Sequence, residues 1–272
     1  MEDLASLYCD EREVTPDYRQ ALRRVARSMA AAGINPSMLT DSLVNRWLAG
    51  LKQSATTRAN YRRMGLTLAR YATDRQLTGG QFSGRVMKVK QKLSPPIAWS
   101  MAELSSLIQA AKKLDYDLRK GCPAALFFEG WVRAGFETGL RFSDLLSLRC
   151  DQLRGDRLFV VANKTGVPIP KVLSARCVEI LTKLSVQGDG RTFFRWALAE
   201  RWLRIHFARL CKQAGLTGTP KWLRRSGATH CEIRQPGSAK KFLGHLSDGL
   251  AMKHYVDQTL LPDQCPAPPP IP

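Results

Sequence analysis

Apolar residues recur at helical spacing through the first third of the chain. Between residue 16 and about 32, Leu22, Val25 and Met29 share one face, which predicts an amphipathic helix. The segment LVNRWLAGL follows Thr40, and this predicts a second helix capped by that threonine. A third helix is predicted over 57–76, with a buried face made of Tyr61, Met64, Leu68 and Tyr71. The pattern therefore predicts an all-α N-terminal region.

Both helical and alternating patterns follow in the rest of the chain. Ser100 and Glu103 form a Ser-x-x-Glu capping box, which predicts a helix start, and a further helix is expected over 123–137, ending before Gly139. Two strands, 157–162 and 167–173, are predicted around the turn NKTG, and helical spacing returns after residue 174. The predicted fold class is mainly α with a small antiparallel β-sheet.

A composition change divides these two regions. Residues 78–97 combine three Gly, alternating Lys and a Pro pair, which is typical of an extended linker. We therefore expect a helical domain over 1–80, a basic linker over 81–97, a second domain over 98–260 and a Pro-rich tail over 261–272. Leu260 and Leu261 would either dock on a neighbouring protomer or belong to a disordered end.

Charge then narrows the choice of partner. The chain has 42 Lys plus Arg against 23 Asp plus Glu, a formal net charge of +19 and a pI of about 10.1. Eleven of the cations and only one acid, Asp74, fall between residues 42 and 97, which favours a face laid along nucleic-acid phosphates over a merely solvated surface. The expected DNA-binding residues are Arg58, Arg62, Arg63, Arg85, Lys88, Lys90 and Lys92.

Membrane and metal functions fit the sequence less well. No stretch approaches 18 uninterrupted apolar residues and the acidic start does not resemble a signal peptide, so we expect no membrane association and a cytoplasmic protein. The seven Cys are odd in number, scattered and without a CxxC pair, which indicates reduced thiols. The adjacent His230 and Cys231 have no second pair at a ligand-like spacing, so no cofactor or metal is expected.

Four motifs together indicate chemistry on phosphate. They are TGLRFSDLLSL at 138–148, the NKTG turn, KWLRRSGATH at 221–230 and LGHLSDGLAMKHY at 243–255. Cleavage of a phosphodiester without metal needs an oxygen nucleophile, cations for the non-bridging oxygens and an acid for the leaving oxygen. Arg141 and Arg224 suit the second role, because a guanidinium offers a bidentate fork and keeps its charge. Tyr255 is the candidate nucleophile.

In their order and spacing these motifs resemble the tyrosine recombinases, the phage-integrase-like proteins. The resemblance covers about 98–257 by motif and the first domain only by its basic helices. It implies an α+β catalytic domain in which Arg141 and Arg224 clamp the scissile phosphate and Tyr255 attacks it. It also implies that His245 donates to a phosphate oxygen, that Lys164 protonates the 5′-oxygen leaving group and that Asp144 supports the site from behind.

Two departures from the family pattern leave alternatives open. Lys221 stands where the family more often has a histidine, so its service as a base for Tyr255 is undecided. The spacing of ten between His245 and Tyr255, against about nine in the family, leaves His254 as a weaker candidate nucleophile. Arg224 is followed by Arg225, either of which can turn inward. Arg141 alternatively makes an ordinary ion pair with Asp144 or Asp151.

The implied function is that of a site-specific recombinase, an enzyme that cuts and rejoins DNA through a 3′-phosphotyrosyl intermediate. Its partners would be double-stranded recombination sites, with a homotetramer on synapsed DNA and a monomer when free, associated with the nucleoid when bound. The alternatives are a type IB topoisomerase-like enzyme and a non-catalytic DNA-binding relative.

Overall fold

The structure is a computed structural model that describes residues 1–79, 82–91, 94–118, 121–161, 168–187, 190–196, 198–244 and 248–261. It divides the chain into two compact units, Met1–Ser94 and a second unit from Pro95 onward. The predicted site residues Lys92, Lys164 and His245 lie outside the described residues, as does the Pro-rich tail from 262.

The first unit is built from α-helices. These are α1 (Glu2–Glu11), α2 (Pro16–Ala31), α3 (Asp41–Gly50) and α4 (Ala55–Asp74). Side chains of Thr15, Thr40 and Ser54 accept hydrogen bonds from the first turns of α2, α3 and α4, as expected of N-caps. The predictions of α2 and α3 are confirmed, and α4 starts two residues before its predicted first residue because Ser54 caps it.

Helix α1 was not expected from the sequence pattern. It has no side-chain cap and buries only Leu4, Ala5 and Cys9. These pack with α2 and α4 in the core of the unit, around Leu22, Met29 and Trp47. The helix is thus stabilised by tertiary packing, which outweighs its weak local signals.

The second unit surrounds a buried central helix. Its elements in order are α5 (Met101–Lys112), β1 (Asp117–Leu118), β2 (Cys122–Pro123), α6 (Ala124–Thr138), α7 (Phe142–Leu146), β3 (Leu153–Arg154), β4 (Arg157–Val161), β5 (Pro168–Val172), α8 (Ala175–Gln187), α9 (Glu200–Gln213), α10 (Pro220–Arg234), α11 (Ser238–Leu243) and α12 (Asp248–His254). The capping box of Ser100 and Glu103 at the start of α5 is present as predicted. Helix α6 buries Phe127 and Trp131 and packs against α5, α8 and α10.

The strands form two small antiparallel sheets. One pairs β1 with β2, and the other has the order β3-β4-β5, with Arg157 opposite Val172 and Val161 opposite Pro168. Strands β4 and β5 correspond to the predicted pair, whereas the two-residue strands β1, β2 and β3 were too short to be predicted. The fold class is mainly α with small antiparallel sheets, as expected.

A separate small core holds the last helices together. Ala228 of α10 packs with Leu243, Ala251 and Val256 from α11, α12 and the segment beyond, and Leu261 lies against this cluster. Leu261 therefore packs on its own chain. Among the described residues, no helix is both long and apolar enough to span a bilayer.

Candidate active site

The end of α6 sets the position of the first arginine. Gly139 caps α6 in the left-handed region at φ 60°, and a Cβ there would lie 2.8 Å from Cζ of Phe242. Only glycine fits this position, because both its φ and the close ring exclude a side chain. The turn places Arg141 at the N-cap of α7. Its Nη1 lies 3.7 Å from Oδ2 of buried Asp144, whereas Asp151 pairs with Arg149.

Arg224 of α10 is the arginine that turns inward. It is only 3% exposed, and its guanidinium donates to the carbonyl oxygens of Gly139 and, at 3.2 Å, of Leu243. Burial lowers the pKa of Arg224, and the nearby Arg141 lowers it further, while Tyr255 opposes the shift. Both carbonyls are neutral, so these contacts orient the guanidinium without cancelling its charge. Arg225 is half-buried.

Tyr255 lies beside this arginine in the same chain. Its ring centroid is 5.0 Å from Cζ of Arg224 and 5.6 Å from Nζ of Lys221, and its side chain is hydrogen-bonded to Arg224. Lys221 and Arg224 share this neighbour because they are three residues apart on α10. The ring of Tyr255, the residue directly after the end of α12, meets these two cations, whereas His254 is the last residue of α12 and is half-buried.

A buried carboxylate fixes the chain just beyond Tyr255. Asp257 accepts hydrogen bonds from the backbone N–H of Ala98 at 2.9 Å and from the backbone and hydroxyl of Thr259. Its own N–H donates to Oγ1 of Thr229 at 2.9 Å. This segment is therefore held both to α10 and to Ala98, which lies three residues before the start of α5. The YVD sequence contained Asp257, but its partner Ala98 is 159 residues away, beyond the reach of local pattern analysis.

A second buried cation supports the turn after α11. Lys171 of β5 is 7% exposed, donates to the carbonyl of Phe242 and lies 4.1 Å above that ring. Burial lowers the pKa of Lys171 to about 8, and Arg224 contributes in the same direction while Cys231 opposes it. Lys171 and Arg224 thus bind consecutive carbonyls, those of Phe242 and Leu243. Sequence analysis missed Lys171, although strand alternation puts it on the same face as Leu173.

The structure brings together four of the predicted site residues and Asp144. Arg141, Lys221, Arg224 and Tyr255 converge between α6, α10 and the end of α12. Lys164 and His245 lie outside the described residues, so their relation to this cluster stays a prediction. Lys221, Arg224 and Arg225 interact with Tyr255, and Arg141 interacts with Arg224, so the surroundings of the phenol favour an anion such as phosphate.

The predicted DNA-binding residues differ in their surroundings. Arg63, Arg85, Lys88 and Lys90 are exposed, and Arg58 is half-buried. Arg62 instead donates from Nε to the carbonyl of Met87 at 2.8 Å and from Nη2 to that of Val86 at 2.6 Å. The Arg62 side chain is thus engaged within the first unit.

Metal ligands do not cluster in the part of the chain that the structure describes. No group of three or more His, Cys, Asp or Glu residues there is arranged to hold an ion. Six cysteines in the described ranges are free thiols, and Cys265 lies outside them.

Comparison with solved structures identifies the architecture. The chain superposes on a fragment of lambda integrase, residues 75–356, in a dimer bound to a COC′ core site, with a TM-score of 0.77 and 19% identity, covering 98% of this chain and 99% of that one. This chain has the integrase fold. The Tn1549 transposon integrase in complex with circular intermediate DNA gives a TM-score of 0.71 and 14% identity, with 95% of each chain covered.

A recombinase of a third kind gives a similar result. The XerH site-specific recombinase, bound to palindromic difH substrate in a post-cleavage complex, matches with a TM-score of 0.67 and 17% identity over 81% of this chain and 68% of its own. By sequence, the chain matches no family model and no curated protein. The fold class implied by the four motifs is confirmed by these structures, all of which share less than a fifth of their residues with this chain.

Proposed function

We propose that this chain is a site-specific tyrosine recombinase in which Tyr255 cleaves and rejoins DNA. The observation that carries the proposal is the hydrogen bond and 5.0 Å ring contact between Tyr255 and the buried Arg224, with Lys221 beside them. The Tyr255 phenol is hydrogen-bonded to the guanidinium of Arg224, so it lies next to the cations that would neutralise the charge of a bound phosphate. The shared fold with lambda integrase, XerH and the Tn1549 integrase supports the same conclusion.

In the proposed reaction the phenol of Tyr255 gives up its proton to water, its oxygen forms a bond to phosphorus, and the bond between phosphorus and the 5′-oxygen breaks. Arg141 and Arg224 stabilise the charge on the non-bridging oxygens, because guanidinium groups are fixed donors that match phosphate geometry. The leaving oxygen takes a proton, for which Lys164 is the proposed donor, and His245 donates to the phosphate. Lys221 is proposed to contact the phosphate beside Tyr255. The phosphotyrosyl ester keeps the energy of the cut bond, so a 5′-hydroxyl can reverse the reaction.

The proposed assembly is a tetramer on two synapsed duplexes, formed from monomers that are separate when free in the cytoplasm. A lambda integrase tetramer bound to a Holliday junction, similar to this chain with a TM-score of 0.77 at 18% identity, supports this arrangement. Exposed cations of the first unit would bind the duplex backbone, with the protein associated with the nucleoid.

Trapping of the covalent intermediate tests the proposal. The full chain is incubated with a pool of duplexes whose central segment is randomised. Each duplex carries a nick, so that cleavage releases a short 5′-hydroxyl strand, which diffuses away and prevents religation. We expect a denaturation-resistant adduct whose DNA shares a sequence preference, and peptide mapping should find it on Tyr255. The variants Tyr255→Phe and His254→Gln are compared: the first should abolish the adduct and the second should retain it.

Other outcomes would refute the proposal in distinct ways. An adduct without sequence preference, with relaxation of supercoiled plasmid, would indicate a topoisomerase. Duplex binding without any adduct would indicate a non-catalytic DNA-binding protein. Loss of the adduct in His254→Gln together with its survival in Tyr255→Phe would assign the nucleophile to His254.

A further inference from the structure

Residues 82–90 form a segment, here called the basic strap, that packs against the core of the first unit. Phe82 and Val86 are buried in that core, while Arg85, Lys88 and Lys90 are exposed. The segment forms no helix or strand. Its two buried apolar residues, Phe82 and Val86, attach it to the core, and its three cations are exposed.

Side chains of α3 and α4 satisfy the backbone of the basic strap. Asp41, the first residue of α3, accepts from the N–H of Gly84 at 2.9 Å and from the N–H of Ser83 at 3.3 Å, and also binds the Ser83 hydroxyl. Asn45, one turn later, accepts from the N–H of Met87 at 2.9 Å. These two residues supply acceptors that a neighbouring strand would supply in a sheet.

Arg62 of α4 completes this anchoring from the other side. Its two hydrogen bonds to the carbonyls of Val86 and Met87, at 2.6 and 2.8 Å, bind consecutive peptide groups. Burial of Asp41 by itself would raise the pKa of that carboxyl, but hydrogen bonds from Ser83, Gly84 and Arg85 outweigh burial and lower it. The ionised carboxylate is therefore the form that fits the strap.

We propose that the basic strap is a preformed ligand for the duplex phosphate backbone, and that Asp41, Asn45 and Arg62 are its positioning residues. Arg62 thus acts through the strap and not by contacting phosphate. The inference rests on the proposed function, since it takes duplex DNA as the partner. A segment already ordered before binding loses less conformational entropy when it meets DNA, so anchoring raises affinity without adding a contact.

Neutralising Asp41 gives a test in which electrostatics and positioning predict opposite changes in the affinity for duplex DNA. Removal of a negative charge near DNA strengthens binding if charge alone matters. In Asp41→Asn an amide NH₂ replaces an acceptor oxygen opposite Ser83, which releases the strap. We expect this variant of the full chain to bind a mixed-sequence duplex roughly ten-fold more weakly, as measured by fluorescence anisotropy. Equal or tighter binding by Asp41→Asn would overturn the inference.

Asp74→Asn is the matched control. Asp74 is exposed in the last turn of α4, and no described hydrogen bond or ion pair joins it to the strap. The Asp74→Asn variant loses the same charge from the same unit, so its affinity for the duplex should equal or exceed that of the unmodified chain. An equal loss of affinity in both variants would count against positioning.

Trypsin provides a readout that needs no DNA. In the free full chain, cleavage after Arg85, Lys88 and Lys90 should be slow and should accelerate in Asp41→Asn and Arg62→Ala. Arg63→Ala, which removes an exposed arginine next to Arg62, should leave the rate unchanged. Unchanged cleavage in Asp41→Asn and Arg62→Ala would overturn the anchoring. A chain that binds no duplex at all would instead overturn the proposed function, whatever the trypsin result.

Discussion

Replacement of Lys171 by methionine tests how the turn after α11 is supported. The ammonium is 7% exposed, its pKa is lowered to about 8 chiefly by burial, and Arg224 and Cys231 are the titratable groups that face it from α10. Against the ordinary value of 10.5, this shift corresponds to a destabilisation of roughly 3 kcal/mol in the charged form. Methionine has a similar volume and carries no charge, so Lys171→Met removes this cost.

The sign of the pH dependence follows from proton binding. Below pH 8 both the folded and the unfolded chain carry the proton, and the folded chain bears the full cost of burying it. Between about pH 8 and 10.5 only the unfolded chain holds the proton, so folding stability rises with pH in this window. The advantage of Lys171→Met over the unmodified chain should therefore shrink by about 1.3 kcal/mol between pH 7 and pH 9.

Urea denaturation followed by tryptophan fluorescence measures this difference. Five of the six tryptophans, all except Trp47, lie in the second unit, so the signal reports the unit that contains Lys171. The exposed Lys113 provides the control, and Lys113→Met should give a difference that does not change with pH. Burial raises the pKa of Cys231 and Lys171 opposes this shift, so both chains carry Cys231→Ala to remove the coupled thiol from the comparison. If the free energies of unfolding of Lys171→Met and the unmodified chain changed in parallel with pH, the claim that the Lys171 ammonium is buried at a cost would be refuted.

Three other substitutions address the site. In Gly227→Ala the new methyl would lie 2.9 Å from Cζ of Phe242 and closer still to the carbonyl of Phe136, so we expect a loss of about 3 kcal/mol in urea denaturation. Asp257→Ala removes the acceptor for Ala98 and for both donors of Thr259 and should cost roughly 3 kcal/mol by the same measurement; a loss below 1 kcal/mol would contradict the assigned hydrogen bonds. Arg224→Lys cannot hold both carbonyls and the phenol, so adduct formation should slow by about a hundred-fold or more in single-turnover assays, and near-normal rates would exclude its role.

Local signals determined what could be predicted of the fold. Thr40 and Ser100 cap their helices through residues three positions away, and Gly139 ends α6 through its own φ, so each was readable from a short window. Helix α1 lacks such a cap and depends on packing against α2 and α4. The strands β1, β2 and β3 have two residues each, fewer than a periodic pattern requires.

The residues of the candidate site also differ in whether the sequence alone could identify them. Arg141, Arg224 and Tyr255 were identified because their motifs resemble a family. They are 83 and 31 positions apart in the chain, and no local rule brings such residues together. Arg62 was expected on a DNA-facing surface, but its partners lie 24 and 25 residues away and only folding reveals them. Lys171 stands in an otherwise apolar strand, where the usual exposure of lysine argued against the inward face that alternation indicated.

The hydrogen bond between Ala98 and Asp257 joins the start of the second unit to the segment that holds Tyr255. Next to it, the backbone N–H of Trp99 donates to the Ser226 hydroxyl at 2.8 Å, and the Trp99 carbonyl is hydrogen-bonded to His230 at 3.0 Å. Both partners belong to α10, so the start of the second unit is also bonded to that helix. Only three residues, 95–97, separate Ser94 from the first of these bonds at Ala98, so tension applied to the polypeptide there reaches the bonds almost directly. The segment that carries Tyr255 is consequently joined to residue 95 by a short path of covalent and hydrogen bonds inside the second unit.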